Sequence, residues 1–359
     1  MTSKRMTAVL GQLGVTQVRY VSPVHRGAAK GLVGRVYEQV EREFGVLAPS
    51  LVLLSPAPQV LAASWLMLRE TLLAASTVDR AAKEAVATAV SRANTCPWCV
   101  TVHSTMLSGL AQGHELADPR LREVTGWARD CGTADGAVAH EPACPAAQAP
   151  ELIGTTVLFH YYNRMVNVFL TDLPLPPGAP RLALSPVMWI LDRRMRPAAV
   201  RSHQPGTSLD LLPAAPLPPD LSWASGDPVT GDAFARGCAA IDAAGARSVP
   251  PSVRDLLLTE LGTWQGEPRG PSRAWADSAA SVLPAADQPA GRLALLTALA
   301  SAQVDRSVVK AFRTTQRGDT ALVELTAWAS LAAARRAGTW IPVGATHADH
   351  DTSTRHAGP

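Results

Sequence analysis

The sequence predicts an all-α protein, on three observations: apolar residues recur at helical spacing along most of the chain, strand-like alternation is scarce, and prolines concentrate in one central stretch. With 359 residues, 47% of them hydrophobic, the chain can bury one large core or two ordinary ones. From Leu32 to Phe44, apolar Val33, Val36, Tyr37, Val40 and Phe44 alternate with Arg35, Glu38, Glu41 and Arg42, the pattern of an amphipathic surface helix. Ser55-Pro56-Ala57-Pro58 opens a second helix running through Leu73, with serine as cap and proline in the first turn. A third, rich in alanine and valine, spans about Val78 to Ala93. The fourth begins near Thr95 and continues to about Leu110 before Gly113 ends it. Further helices fit Ala117 to Asp130 and Pro150 to Leu170.

Between Thr171 and Asp227 the texture changes. Leu173 to Pro180 and Leu212 to Asp220 hold proline at a density that no helix tolerates, so residues 171–227 read as an extended connection with a short helix at Ser185 to Arg194 inside it. Helical pattern returns from about Gly231 to Trp340, and the tail from Thr346 on reads as frayed. Setting Thr88–Asn94 over Thr297–Gln303 superposes the same apolar and small pattern, which suggests an internal duplication. In that register Glu84 falls on Leu293, Cys96 on Asp305, Cys99 on Val308 and His103 on Phe312, so the second copy keeps the packing and lacks the chemistry. The expected organisation is a helical domain over 1–170, a connection over 171–227, a second, degenerate helical domain over 228–345, and a tail over 346–359.

The formal net charge of +3 is spread among acidic neighbours, without a basic run that would mark a nucleic-acid or membrane partner. No apolar run reaches membrane-spanning length and none near the start resembles a signal peptide, so the expected location is the cytoplasm. Five cysteines in so long a chain form no disulfide framework, and in a reducing compartment a close pair points to redox or metal chemistry. Cys131, Cys144 and Cys238 lie apart and receive no role. The histidines His25, His114, His140, His203, His347, His350 and His356 read as solvated surface residues.

The pair lies in Asn94-Thr95-Cys96-Pro97-Trp98-Cys99-Val100-Thr101-Val102-His103. Cysteines three apart on a helix adjoin each other and can be bridged at the strained end of the disulfide range. Thr95 can cap the helix and Pro97 fits its first turn, which places Cys96 at the positive end of the helix dipole. His103, one turn beyond Cys99, can accept its proton. Glu84, twelve residues before Cys96 among Ala85, Val86, Ala87 and Ala89, is a second candidate proton carrier, with a raised pKa expected from its apolar surroundings.

Lys83-Glu84-Ala85-Val86-Ala87 followed by Cys96-Pro97-Trp98-Cys99-Val100-Thr101-Val102-His103 resembles the alkylhydroperoxidase D and carboxymuconolactone decarboxylase superfamily, whose redox members carry Glu-x11-Cys-x2-Cys-x3-His. The resemblance extends to Tyr162-Asn163-Arg164-Met165. It implies an all-α bundle in which Cys99 attacks a small hydroperoxide to form a sulfenic acid, Cys96 condenses with it to a disulfide, and Glu84 and His103 relay the proton. It further implies an external dithiol donor, either a lipoyl protein or a thioredoxin-like one, and a homo-oligomer, with no cofactor. The well-studied peroxidase of that superfamily has a histidine between its cysteines; Trp98 stands there in this chain.

Other readings stay open at this level. Cys96, Cys99 and His103 supply three ligands for zinc, with Glu84, His114 or a water as the fourth, although a pair on one helix is unlike the loop knuckles of structural zinc, and no metal is expected. The cysteines can also be an inert packed pair. On the same fold, a decarboxylase-type or other biosynthetic enzyme, a binding module and a protein disulfide reductase are alternatives. His160 and Arg164 can bind an acidic substrate, or be partly buried helix residues.

Overall fold

A computed structural model describes residues 15–114, 117–139, 144–175 and 178–342. The expected frayed tail, the tail histidines and His140 lie outside the described residues. Among those described, the chain is helical, and its one β-type pairing is an isolated bridge between Ala74 and His203.

The elements follow the sequence signals closely. The first amphipathic helix is α1, Gly31–Glu43, with Val33, Val36, Tyr37 and Val40 turned inward. A four-residue helix, α2 (Pro49–Val52), escapes periodicity because one turn has no period to show. Helix α3 runs from Pro58 to Leu68 and then widens into a π turn over Arg69–Leu73. Ser55 does not cap it; its hydroxyl instead accepts the Val24 N–H at 2.8 Å. Helix α4 (Arg80–Ala93) is capped by Asp79, whose carboxylate accepts the Ala82 N–H. Helix α5 (Pro97–Leu110) follows after a three-residue turn, then α6 (Pro119–Asp130), the short α7 (Ala134–Ala139) and α8 (Ala149–Phe169).

Helix α9 occupies Leu184–Ala199 within the proline-rich stretch, well beyond the short helix expected there. It packs on α5, and its fourteenth residue is Pro197, close enough to the helix end for the missing N–H to matter little. The chain then passes through two 3-10 segments, Leu209–Leu211 and Pro219–Gly226. Beyond them come α10 (Pro228–Ser248), α11 (Pro251–Thr263), α12 (Ala274–Ala280), α13 (Gln288–Leu299), α14 (Arg306–Thr315) and α15 (Asp319–Gly338).

At the centre lies α8, in which every residue but Asn167 is buried. A helix buried on all faces needs cover on all faces, and α8 has α4 on one side and α15 on another. Helices α3 and α10 pack together, as do α10 and α15, so the buried side chains form one continuous cluster from Val21 to Ile341. Several buried charges are paired. Lys83 Nζ lies 3.0 Å from Glu151 Oε2, tying α4 to α8. Arg69, 2% exposed, sits between Glu43 at 2.7 Å and Glu70 at 2.8 Å. Glu70 also accepts the backbone N–H groups of Gly206 and Ser208, fastening the connection to the bundle.

His203 belongs to this cluster. Its Nδ1 lies 3.7 Å from Glu43 and its Nε2 contacts the Ala198 carbonyl, so it is a half-buried anchor of the connection and not the solvated residue expected; His25 and His114 are exposed.

Candidate active site

The turn between α4 and α5 sets the position of the cysteines. Asn94 N–H returns to the Val90 carbonyl, and Cys96 N–H reaches back five residues to Ser91 at 2.9 Å, which requires the residue between them to turn left-handed. That residue is Thr95, at φ +49°. A β-branched residue there is strained by roughly 1–2 kcal/mol, a cost found mostly at functional sites. Thr95 therefore does not cap α5. Cys96 occupies the cap position itself, with Pro97 behind it in the first turn, and Cys99 follows on the inward face.

Both thiols are free and buried, Cys96 at 1% and Cys99 at 2% exposure. Burial pushes Cys99 well above the usual thiol range, a hydrogen bond and charge from Cys96 push the same way, and a hydrogen bond from Asn163 opposes them. At rest Cys99 is thus a thiol, and only a nearby base can make it a nucleophile.

One turn along α5 from Cys99 stands His103. His103 Nδ1 lies 2.7 Å from Glu84 Oε2, while Arg80 holds the other carboxylate oxygen, its Nε 2.8 Å and its Nη2 2.7 Å from Oε1. Burial alone would raise the Glu84 pKa, but the charges of Arg80 and His103 and their hydrogen bonds outweigh it, and the carboxyl falls below its usual range. This corrects the expectation of a raised value. An ionised carboxylate accepts only, so the proton between the two is on Nδ1, which leaves Nε2 as the ring atom able to take or give a proton. Phe159 packs edge-to-face on the imidazole at 4.6 Å between centroids and fixes its plane.

The structure thus brings Glu84 and His103 into direct contact, and Cys96 against Cys99. It adds three groups that the motif did not name. Arg80 stands four residues before Glu84, a helical ion-pair spacing legible in the sequence. Asn163, in the Tyr162–Met165 run, faces Cys99 and donates to Ser91 Oγ at 3.0 Å. Asn94 donates to Asn163 Oδ1 and to His160 Nδ1, both at 3.0 Å. Trp98 is a cover and not a proton carrier: it is buried, with its indole N–H on Gln17 Oε1 at 3.1 Å.

His160 and Arg164 are both buried on α8. Burial and the Arg164 charge push His160 down to about 3, so its ring is neutral at physiological pH. Cys131 and Cys238 are packed away, each pushed up to about 12 chiefly by burial, and half-buried Cys144 is pushed up to about 11. Among the described residues no three His, Cys, Asp or Glu side chains cluster as a metal site, and no helix is long and apolar enough to cross a membrane.

The chain is a helical bundle with two cysteines at the start of one helix and a histidine–glutamate pair one turn further on; residues 59–139 match the carboxymuconolactone decarboxylase family. The chain belongs to that family. It is also 39% identical over 341 residues to alkyl hydroperoxide reductase Rv2159c of Mycobacterium tuberculosis, a match covering 91% of this chain and 96% of that protein.

Proposed function

We propose that the chain is a thiol-dependent alkylhydroperoxidase in which Cys99 is the attacking thiol, Cys96 the resolving one, and Glu84 and His103 the proton relay. The observation that carries this is the 2.7 Å Glu84–His103 contact one turn from a buried dithiol. His103 takes the Cys99 proton; the thiolate attacks the terminal peroxide oxygen and the O–O bond breaks. The alkoxide leaves as the alcohol with the proton returned by His103, and Cys99 becomes a sulfenic acid. Cys96 then displaces water from it to form the disulfide. An external dithiol reduces the disulfide and closes the cycle.

Burial of both sulfurs favours a small hydroperoxide over a protein disulfide as oxidant. By the same argument a slender lipoyl arm fits better than a thioredoxin-like surface as reductant. We place the chain in a reducing compartment, the cytoplasm, where a Cys-x-x-Cys pair is kept as the dithiol from which the cycle starts. A homo-oligomer is consistent with Leu182, Trp189 and Val200, exposed large apolar residues on and beside α9.

The reading as a duplication rests on the helix starts. Adding 209 carries the cap Cys96 of α5 to the cap Asp305 of α14, and Pro97 to Arg306. The positions of Glu84, Cys99 and His103 are taken by buried Leu293, Val308 and Phe312, which fill the equivalent space with apolar side chains.

The test compares wild type with Cys99→Ser and Cys96→Ser under limiting cumene hydroperoxide, with sulfenic acid trapped chemically. Cys96→Ser is expected to accumulate sulfenic acid at Cys99, and Cys99→Ser to be inert. If both variants consume peroxide as wild type does, the assignment is wrong.

A further inference from the structure

A cleft of about 320 Å³ opens beside the thiol turn and takes no part in the chemistry above. It lies between Asn94 and Thr95 on one side and the Trp264–Pro271 segment and the Leu299–Gln303 turn on the other, with Arg164 of α8 lining it. Its size is that of a small-molecule site.

Arg164 is the unexplained group. It is 6% exposed, and burial pushes it down to about 10, so it remains charged at neutral pH. A buried charge ordinarily has a counter-ion. Arg164 has none among the described residues: Nε donates to the Ala298 carbonyl at 2.7 Å, Nη1 to the His160 carbonyl at 2.6 Å, and the guanidinium lies 5.8 Å from the centroid of the Trp264 ring. Nη2 donates to no group among the described residues. Two more polar atoms of cleft residues, Arg269 Nε and Gln303 Oε1, are buried without a partner. The remaining charges are accounted for. Arg269 Nη2 lies 3.3 Å from Glu260, and exposed Glu267 accepts the Gln265 N–H at 2.9 Å and meets no guanidinium.

We infer that this cleft binds a small organic carboxylate, its charge on Arg164 and its apolar body against Trp264, Leu299 and Pro268. One unpaired guanidinium balances one negative charge; a dianionic phosphate would be half-neutralised, because Arg269 already has Glu260. The apolar walls reward an alkyl or aryl body that a bare inorganic anion lacks. The site stands beside the redox centre, joined to it through Asn94, which lines the cleft and donates to the Asn163 that faces Cys99.

Calorimetric titration of the reduced full chain with hexanoate, 1-hexanol and inorganic phosphate tests this without any peroxide, so its failure leaves the thiol reading standing. Hexanoate is expected to bind at least tenfold more tightly than either hexanol or phosphate. Arg164→Gln should weaken hexanoate tenfold or more and leave hexanol unchanged. Because Arg164 is buried and its loss can unfold the bundle, Ala302→Trp at the exposed lip serves as the second variant, and it should weaken hexanoate by a similar factor. Equal binding of hexanoate and hexanol, phosphate binding as tightly as hexanoate, no hexanoate binding, or full hexanoate binding in Ala302→Trp would each overturn the proposal.

Discussion

Glu84 carries more of the proposed site than its place in the motif suggests. Its carboxylate is held by Arg80 on one oxygen and sets the histidine tautomer with the other. Glu84→Gln keeps the shape but removes the charge that stabilises a protonated His103, and the expected result is a fall in kcat/KM of about 10²–10³-fold. Steady-state kinetics against pH check this. Because Cys99, pushed up by burial, needs the relay to take its proton, the wild-type rate should fall on acidification, and Glu84→Gln should move that profile, which a purely structural role would not do. The stability link runs the other way: with its folded pKa lowered, Glu84 stabilises the fold above its unfolded value near about 4.3, and that contribution is lost as pH falls through the folded value. The grouping of Cys96, Cys99 and His103 was legible from helical spacing, and Glu84 from its place as a lone carboxylate among apolar neighbours. The electrostatics of Glu84 were not, because the apolar neighbours Ala85 to Ala87 suggest desolvation, while Arg80, one helical turn earlier, reverses the outcome.

Among the elements, the α4–α5 turn and the α10–α15 crossing carry the sharpest constraints. Thr95→Gly should relieve the left-handed strain and raise stability by up to about 1 kcal/mol after the added unfolded-chain entropy, as read from thermal melts. A neutral or destabilising result would mean that the Thr95 side chain makes a compensating contact. Gly245 lets α10 approach α15: a Cβ there would stand 2.4 Å from Trp328 Cδ1 and 3.0 Å from its Cβ. Gly245→Ala should therefore destabilise by about 1–3 kcal/mol in chemical denaturation, since the indole cannot move without disturbing the core. Long helices with a periodic face, such as α1, or with a proline start, such as α5 and α8, were readable. The one-turn α2, the short α7 and the full length of α9 were not, because tertiary contact and not local pattern holds them.

At the scale of the whole molecule, the buried charges of α8 set how the bundle meets acid. His160 is neutral in the folded state to about pH 3, whereas an unfolded histidine takes up a proton near about 6.5. The unfolded chain therefore binds more protons in that window, and stability should fall steadily as pH drops from about 6.5 toward 4. His160→Gln should flatten that decline in melts recorded across the range; an unchanged slope would place the acid sensitivity elsewhere. The continuity of the core could not be read from the sequence. The proline-rich stretch reads as a separator, yet Glu70 and Glu43 pin it down and α10 packs directly on α3. Composition records where helices cannot run, and not what the chain between them rests on.

The central claim is that one dithiol, Cys96 with Cys99, is the peroxide-reducing centre. It is tested most directly by adding one equivalent of cumene hydroperoxide to the fully reduced protein, then mapping every thiol by mass spectrometry and measuring the alcohol formed. The account predicts one alcohol per chain, a Cys96–Cys99 disulfide, and Cys131, Cys144 and Cys238 still free. Unconsumed peroxide, or oxidation that falls on the other three cysteines while Cys96 and Cys99 remain reduced, would contradict it.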